Sequence, residues 1–297
     1  MVCKEIIQIL EQKSPVSYAC SWDNVGLLVG SRKKEIHRIY VALDATDETI
    51  QEAVSAGADM LLTHHPLIFK GIKNVNAEDF IGRRVIELVR HDMAYYAMHT
   101  NFDISGMADL AAERMQLTDT RVLQVTGFSG EVPEKLKKGG AGGLTCPEGK
   151  IDPETAAAIG IGKVGNLPRE MTLKECAEYV KQVFDVDMVR VFGNLDGTAP
   201  EERTSPAVRT VFRAAICPGS GKSVINDALK AGAQVLITGD IDHHEGIDAV
   251  ARGMAVIDAG HYGLEKIFIP YMKQYLEERL PEVEVIAREP KQPFCYL

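Results

Sequence analysis

The stretch Leu-Leu-Thr-His-His-Pro at residues 61–66 decides the predicted fold, because an apolar, strand-like run ends there in two histidines, His64 and His65. A weaker copy, Leu-Ile-Thr-Gly-Asp, occupies residues 236–240. Open parallel sheets bind ligands at the carboxyl ends of their strands, where both copies carry polar side chains. Imidazole is the commonest metal ligand in proteins. The two stretches therefore predict a duplicated α/β unit and a metal site.

The residues around each stretch extend the repeat, since both copies alternate strands and helices. Predicted strands of the first copy cover residues 36–43, 58–63 and 93–98, and residues 211–217 and 255–258 flank the second stretch. Such alternation indicates parallel sheets with right-handed crossovers. We predict an α/β fold with duplicated strand-helix-strand lobes, mainly parallel sheets, and a metal site in the crevice between the lobes.

The predicted domain boundaries follow the repeat. An N-terminal α/β lobe covers residues 1–126, a connection rich in Gly and Pro covers 127–170, and a C-terminal α/β lobe covers 171–297. The lobes can also form one composite domain. The connection is predicted as a loop region that can hold a hairpin, and the tail from Ile267 is predicted to cross back over one lobe.

The composition bounds the class of protein and its surroundings. The 297 residues are 45% hydrophobic and carry 33 Lys and Arg against 42 Asp and Glu, a net charge of −9. This balance argues against binding a nucleic-acid backbone, which requires a positive field. Six cysteines without a Cys-x-x-Cys pair argue against a zinc knuckle or a disulfide framework. No apolar run is long enough to span a bilayer, so we expect a cytoplasmic protein without a membrane partner.

Two further pairs of polar residues follow predicted strands. His99 and Asp103 are four residues apart and supply a nitrogen and a carboxylate. His261 and Glu265 are also four apart, a spacing that places both on one face of the helix that opens at Gly260. A carboxylate can bridge two cations. Together with His64 and His65, these pairs supply six ligand-type side chains, which is more than one tetrahedral ion needs, so the pattern favours a dinuclear centre. Nitrogen and oxygen donors without cysteine indicate zinc, manganese or iron.

Other residues near these motifs can each be interpreted in two ways. His64 and His65 share a site only if the chain turns at Pro66; otherwise one caps a backbone group and the other is exposed. The remaining choices concern single features. Asp44 is either a hydrogen-bond acceptor behind a ligand or a helix cap, and Trp22 either closes a pocket or lies in the core. Lys70 and Lys73 either contact a phosphate or are solvated. The turn at Gly219 either binds an anion or only reverses the chain.

Five motifs in order resemble those of a known family. They are Trp-Asp-Asn-Val-Gly-Leu at 22–27, Thr-His-His-Pro at 63–66, His-Thr-Asn-Phe-Asp at 99–103, Thr-Gly-Asp at 238–240 with His244, and Gly-His-Tyr-Gly-Leu-Glu at 260–265. Together they resemble the NGG-interacting factor three-like family, many of whose members are labelled GTP cyclohydrolase I type 2. The resemblance covers almost the whole chain.

The resemblance implies a duplicated α/β fold, a toroidal homohexamer built as a trimer of dimers, and a dinuclear site of two divalent ions per chain facing the inner cavity. The metal ligands it implies are His64, His65, Asp103, His261 and Glu265, with Asp103 or Glu265 as the bridge. His99 and His244 are implied to lie close by, either as residues behind the ligands or as proton-transfer groups. The chain is similar to the short form of the family, which lacks an inserted ferredoxin-like domain.

The sequence departs from the family at two places. Tyr262 stands where relatives often have a second histidine, and residues 128–158 match no motif of the family. The function implied is a dinuclear-metal-dependent hydrolase similar to GTP cyclohydrolase I type 2, in which activated water attacks a nucleotide. A metal-dependent phosphoesterase and a non-catalytic metal-binding scaffold or regulatory protein are the alternatives. The expected partners are other copies of the chain and a nucleotide substrate.

Overall fold

A computed structural model describes residues 1–129, 157–195 and 210–295. The helices are α1 (Cys3–Lys13), α2 (Asp47–Ser55), α3 (Phe80–Arg90), α4 (Thr100–Phe102), α5 (Ala108–Arg114), α6 (Leu173–Phe184), α7 (Ile225–Lys230), α8 (His243–Ala251), α9 (His261–Glu265) and α10 (Phe268–Arg279). The strands are β1 (Gly26–Val29), β2 (Arg38–Ala42), β3 (Met60–Thr63), β4 (Ala94–Ala97), β5 (Thr118–Ser129), β6 (Ala157–Thr172), β7 (Arg190–Phe192), β8 (Thr210–Ser220), β9 (Val235–Gly239), β10 (Ala255–Asp258) and β11 (Glu284–Ala287). None of the described helices is long and apolar enough to cross a membrane.

The chain divides into two units, one formed by Met1–Gly106 with Lys266–Leu297 and the other by Met107–Glu265. The first unit holds a sheet with the strand order β1-β4-β3-β2-β11. Strands β2, β3, β4 and β11 are parallel, and β1 is antiparallel to β4. Because Thr63 pairs with Ala97 at the ends of β3 and β4, the residues that follow these two strands emerge side by side.

The second unit holds a mixed sheet with the strand order β5-β6-β8-β9-β10-β7. Its centre is parallel, since β8, β9 and β10 run in one direction, while β5, β6 and β7 are joined by antiparallel pairings. Thr238 pairs with both Cys217 and Asp258, so the ends of all three central strands are level. Their following loops therefore open at one edge of this sheet.

The repeat predicted from the two stretches is confirmed. Strands β2, β3 and β4 with helices α2 and α3 have the same order as strands β8, β9 and β10 with helices α7 and α8. Equivalent glycines follow the first helix of each copy, and both have a positive φ, +66° at Gly57 and +75° at Gly232. A left-handed residue after a helix favours glycine, which has no Cβ to clash.

The connection predicted over residues 127–170 holds a hairpin, one of the two possibilities expected for it. Residues 127–129 and 157–170 lie in β5 and β6, a long antiparallel pair, and the intervening residues, with the glycines at 139–143, lie outside the described ranges. Two glycines of β6 serve close strand pairing. A Cβ on Gly160 would lie 1.9 Å from the Gln124 carbonyl oxygen, and one on Gly165 would lie 2.7 Å from that of Thr118.

Residues Lys266–Leu297 belong to the first unit, whereas the sequence predicted one C-terminal lobe over residues 171–297. Strand β11 adds to the sheet beside β2, as expected for a tail that crosses back. The Arg288 backbone N–H donates to Val41, and its guanidinium donates to Glu52 at 2.6 Å and to Glu48 at 2.9 Å. Hydrogen bonds from Arg288, opposed by partial burial, lower the pKa of the Glu52 carboxyl.

The substitution Arg288→Met is expected to destabilise the chain by about 1 kcal/mol at neutral pH, the value of a charged hydrogen bond reduced for solvent exposure. The pKa of Glu52 is lower in the folded than in the unfolded chain. The stabilisation is therefore present at pH values above the pKa of the unfolded state, and it is lost as the pH falls through the pKa of the folded state. Urea unfolding of both proteins should therefore differ near pH 7 and converge towards about pH 3. Arg90→Met, at an exposed single ion pair, is the control; a difference unchanged by pH would contradict the prediction.

Candidate metal centre

Three histidines of the first unit lie together just past the ends of β3 and β4. The ring centroids of His64 and His65 are 4.9 Å apart, and that of His99 lies 5.4 and 5.6 Å from them. Ligand atoms of all three rings lie within 4.8 Å of one another. The chain bends at His64 and His65, where the Thr63 hydroxyl donates to the His65 carbonyl at 2.8 Å, and both neighbouring imidazoles enter one cluster.

Each of these imidazoles is held through Nδ1 by an oxygen. Nδ1 lies 2.7 Å from the Met98 carbonyl in His64, 2.7 Å from an Asp44 oxygen in His65, and 2.9 Å from an Asp23 oxygen in His99. A carbonyl or carboxylate oxygen accepts here, so Nδ1 carries the proton and Nε2 carries the lone pair. Metal-binding histidines commonly have this arrangement, in which an outer oxygen fixes the tautomer and the ring orientation.

Asp44 lies behind His65, which decides between its two interpretations. Its carboxylate is 2.7 Å from the His65 ring, whereas the cap of α2 is Thr46, whose hydroxyl accepts from the Thr49 N–H. Asp44 is therefore an acceptor for a histidine and not a helix cap. Sequence alone could not separate these roles, because an aspartate between a strand and a helix serves either.

Asp103 lies against His64. Its Oδ1 is 3.5 Å from His64 Nε2, and His64 is fully buried. His99 and Asp103 are one α-helical turn apart, since the Asp103 N–H donates to the His99 carbonyl at 3.0 Å. Asp103 also opens a π-helical turn, Asp103–Met107, a feature that is frequent at functional sites.

Asp23 holds His99 and the backbone after it. Its carboxylate accepts from the His99 ring and from both the N–H and the hydroxyl of Thr100, at 2.6–3.0 Å. Burial would raise the pKa of Asp23, but the hydrogen bonds from His99 and Thr100 outweigh it and lower the pKa to about 2. A charged carboxylate therefore lies behind His99.

The second unit repeats this arrangement around His261. In helix α9, His261 Nε2 lies 3.1 Å from the nearly buried Glu265 carboxylate, which confirms the predicted pairing on one helix face. Nδ1 of His261 lies 2.8 Å from Asp240, at the end of β9. Asp240 has φ +52°, a conformation that non-glycine residues rarely adopt and that often marks functional residues. The sequence placed Asp240 in a motif without a role.

The turn at Gly219 packs against Glu265. A Cβ on Gly219 would lie 2.6 Å from Glu265 Oε1 and 3.7 Å from His261 Cε1, and Gly219 has φ +72°. The glycine therefore leaves room for the carboxylate. The sequence considered only an anion site or a plain chain reversal at this turn.

Gly219→Ala should displace Glu265 and weaken metal binding by about 10- to 100-fold, the effect of losing a partner that positions a ligand. Gly232→Ala is the matched control, because Gly232 has a similar φ of +75° but no atom within 4 Å of an added Cβ. Both variants should lose roughly 1 kcal/mol of stability from backbone strain. Calorimetric titration with metal should give a weaker affinity for Gly219→Ala than for Gly232→Ala. Equal metal affinities would refute the steric role of Gly219.

His244 and Trp22 differ from the residues above in exposure. His244 lies exposed in the first turn of α8, with its ring 5.2 Å from that of His243. Within residues 1–129, 157–195 and 210–295, it joins no group of three or more ligand-type side chains. Trp22 is 58% exposed, so the interpretation as a core residue is wrong.

These side chains fit divalent metal ions of the borderline class. The donors are imidazole Nε2 atoms and carboxylate oxygens without a thiolate, and most are buried or half-buried. This set suits zinc, manganese or iron. The residues missed by sequence reasoning are those behind the ligands. Asp23 and Asp240 could have been suspected because each lies within a motif, whereas nothing in the sequence indicates the Met98 carbonyl.

Comparison with known proteins places this arrangement in a family. A "GTP cyclohydrolase 1 type 2 homolog" of Clostridium perfringens is 33% identical over 299 residues, covering all of both chains, and a Streptococcus pneumoniae protein of the same name is 32% identical over 97% of each. The crystal structure of a Bacillus cereus protein related to NIF3 matches with a TM-score of 0.83 and 28% identity, over 100% of this chain and 99% of that one. Reduced HcgD from Methanocaldococcus jannaschii matches with a TM-score of 0.73 and 28% identity, over 96% and 97%.

The family model described as Duf34/NIF3 (NGG1p interacting factor 3) matches residues 1–293. This match extends over both units and includes each of the five motifs noted in the sequence. The chain belongs to the Duf34/NIF3 family.

Proposed function

We propose that the protein is a hydrolase that binds two divalent metal ions per chain and acts on a nucleotide, as the name of its GTP cyclohydrolase 1 type 2 homologs suggests. The observation that carries the proposal is that the histidines have the same orientation and the same kind of Nδ1 hydrogen bond. His64, His65 and His261 each have Nδ1 bound by an oxygen, which leaves Nε2 as the donor. This orientation is typical of metal ligands, and His99 shares it through Asp23.

The proposed metal ligands are the five residues of the sequence resemblance: His64, His65, Asp103, His261 and Glu265. When bound, zinc, manganese or iron supplies Lewis acidity and activates water at neutral pH. The protein contributes orientation, since Asp44, Asp240 and the Met98 carbonyl fix the three rings. Asp103 and Glu265 would supply the carboxylate oxygens of this set.

His99 is proposed as the proton-transfer group. Its Nδ1–H is held by Asp23, so Nε2 can accept a proton from water and later return it to a leaving group. Asp23 keeps its negative charge and stabilises the imidazolium formed in between. His244 is proposed for the same role from the resemblance alone.

The test is turnover by metal-loaded and metal-depleted protein. In the cyclohydrolase reaction, water adds to the imidazole carbon of the guanine ring and the ring opens, which changes the ultraviolet spectrum of GTP. Zinc-, manganese- or iron-dependent loss of the guanine spectrum would support the proposal. Hydrolysis of phosphoesters with an intact guanine ring would favour a phosphoesterase. Two tightly bound ions without turnover of either substrate would favour a metal-binding scaffold.

The proposed assembly is a homohexamer, a trimer of dimers. Light scattering coupled to gel filtration should give six times the 32.6 kDa chain mass at micromolar concentration. A monomer mass across this range would contradict the hexamer.

A further inference from the structure

We propose that Trp22 and Phe69 form a stacking platform for the planar ring of the substrate, beside the histidine cluster. The proposal rests on the proposed function, because it assigns the residues that hold the heterocycle of that nucleotide. Both side chains belong to the first unit, as do His64, His65 and His99.

The first argument is the exposure of the two rings. Trp22 is 58% exposed and Phe69 is 43% exposed. Their centroids are 5.5 Å apart with an interplanar angle of 39°, so the two rings contact each other. Exposed large aromatics that contact each other leave apolar area in water, which a planar ligand can cover.

The second argument is the position of this surface. The His99 ring makes edge contacts with both aromatics, at 6.1 Å from Trp22 and 5.9 Å from Phe69. His99 in turn contacts His64 and His65. A ring lying on the platform is therefore brought next to the proton-transfer imidazole and to the proposed metal ligands.

The third argument is that the loop carrying Trp22 is rigidly held, although Trp22 itself is exposed. The neighbouring Asp23 side chain has no exposed area and is bonded to His99 and Thr100. The Cys20 N–H donates to the Thr100 hydroxyl. The buried Asp23 carboxylate thus fixes the backbone beside Trp22, whose ring contacts Phe69 and His99. A side chain on a fixed backbone loses less conformational entropy on binding.

The loop carrying Phe69 is tied to the first loop. The Asn24 side-chain amide donates to the Ile68 carbonyl at 2.6 Å. The bond spans the two segments immediately beside Trp22 and Phe69, so it sets the spacing of the two rings. The platform is therefore built from two loops joined to each other and to His99. Stacking of this kind recognises any planar base, so it supplies affinity and placement and leaves the choice of base to other contacts.

The chain has a single tryptophan, so Trp22 fluorescence reports directly on the platform. We expect guanosine and GTP to quench the emission of the metal-loaded protein with saturation. Ribose 5-phosphate and inorganic triphosphate, which lack the ring, should leave it unchanged. Phe69→Leu should raise the dissociation constant of guanosine by about 5- to 150-fold, the usual effect of losing one stacking ring. Phe69→Tyr should restore binding, because it keeps the ring.

Phe212→Leu is the matched control, since Phe212 is equally exposed at 43% but lies in the second unit. Its guanosine affinity should equal that of the wild type. Unchanged emission up to millimolar guanosine, or equal affinities for wild type and Phe69→Leu, would overturn the proposal. So would a blue-shifted, guanosine-insensitive emission, which would show that a second copy of the chain covers Trp22.

Metal content and GTP turnover measured on the same samples separate this proposal from the proposed function. Metal-dependent GTP turnover that is insensitive to Phe69→Leu would refute the platform and leave the hydrolase intact. Guanosine binding that depends on Phe69, in a protein that binds metal without turnover, would support the platform and refute the hydrolase.

Discussion

Replacing His64 with glutamine is expected to weaken divalent-metal binding by more than about 100-fold, because even an outer residue behind a metal ligand is worth about 10- to 100-fold. His64 is fully buried, its Nδ1 is bound to the Met98 carbonyl, and its Nε2 lies 3.5 Å from Asp103. Glutamine keeps a polar group of similar length but has no imidazole nitrogen. Isothermal titration of the metal-depleted protein with zinc and manganese measures the loss.

His91→Gln is the control for this substitution, since His91 is an exposed histidine of the same unit that bonds Glu87 in α3. Circular dichroism should show that both variants are folded. Wild-type metal affinity in a folded His64→Gln protein would contradict the ligand role of His64.

His99→Gln is expected to lower turnover by about 10²- to 10⁴-fold, the usual contribution of a general acid–base group. The metal content should remain that of the wild type, because His99 is proposed to transfer protons and not to bind metal. Turnover and bound metal should be measured on the same preparation. Parallel loss of both would show that His99 is a metal ligand, as its nearness to His64 and His65 would allow.

Asp23→Asn tests how His99 is positioned. An amide can donate to Nδ1 and so favour the opposite tautomer, in which Nε2 carries the proton. The variant should therefore lose turnover and alter the pH dependence of kcat, because Asp23 no longer stabilises the imidazolium. A merely structural role would change stability without moving the pH profile.

Much of the fold was predictable because the hydrophobic pattern of each copy is simple. Strands β3 and β10 and helices α3 and α6 are apolar segments bounded by capping residues or glycine, so local sequence determines them. Strands β5 and β6 could be expected only as a hairpin within a longer connection, because their glycines serve close pairing between distant residues. The pairing of β11 with β2 likewise depends on a contact across the whole chain, which no local pattern contains.

The candidate site was likewise predictable only where it depends on local sequence. The ligand-type side chains stand at predicted strand ends, so His64, His65 and the pair formed by His261 and Glu265 could be chosen from sequence. Their orientation could not, because it depends on a backbone carbonyl and on aspartates from other segments. Asp103 shows the limit of spacing rules, because its four-residue separation from His99 does not reveal that its carboxylate lies 3.5 Å from His64.

Metal stoichiometry per chain tests the central claim most directly. Plasma mass spectrometry should find about two divalent ions per chain in wild-type protein after gel filtration in metal-free buffer. The number should fall sharply in Glu265→Ala and stay unchanged in Glu278→Ala, which removes an exposed carboxylate of α10. One ion or none in the wild type, with no uptake of added zinc, manganese or iron, would contradict the dinuclear centre.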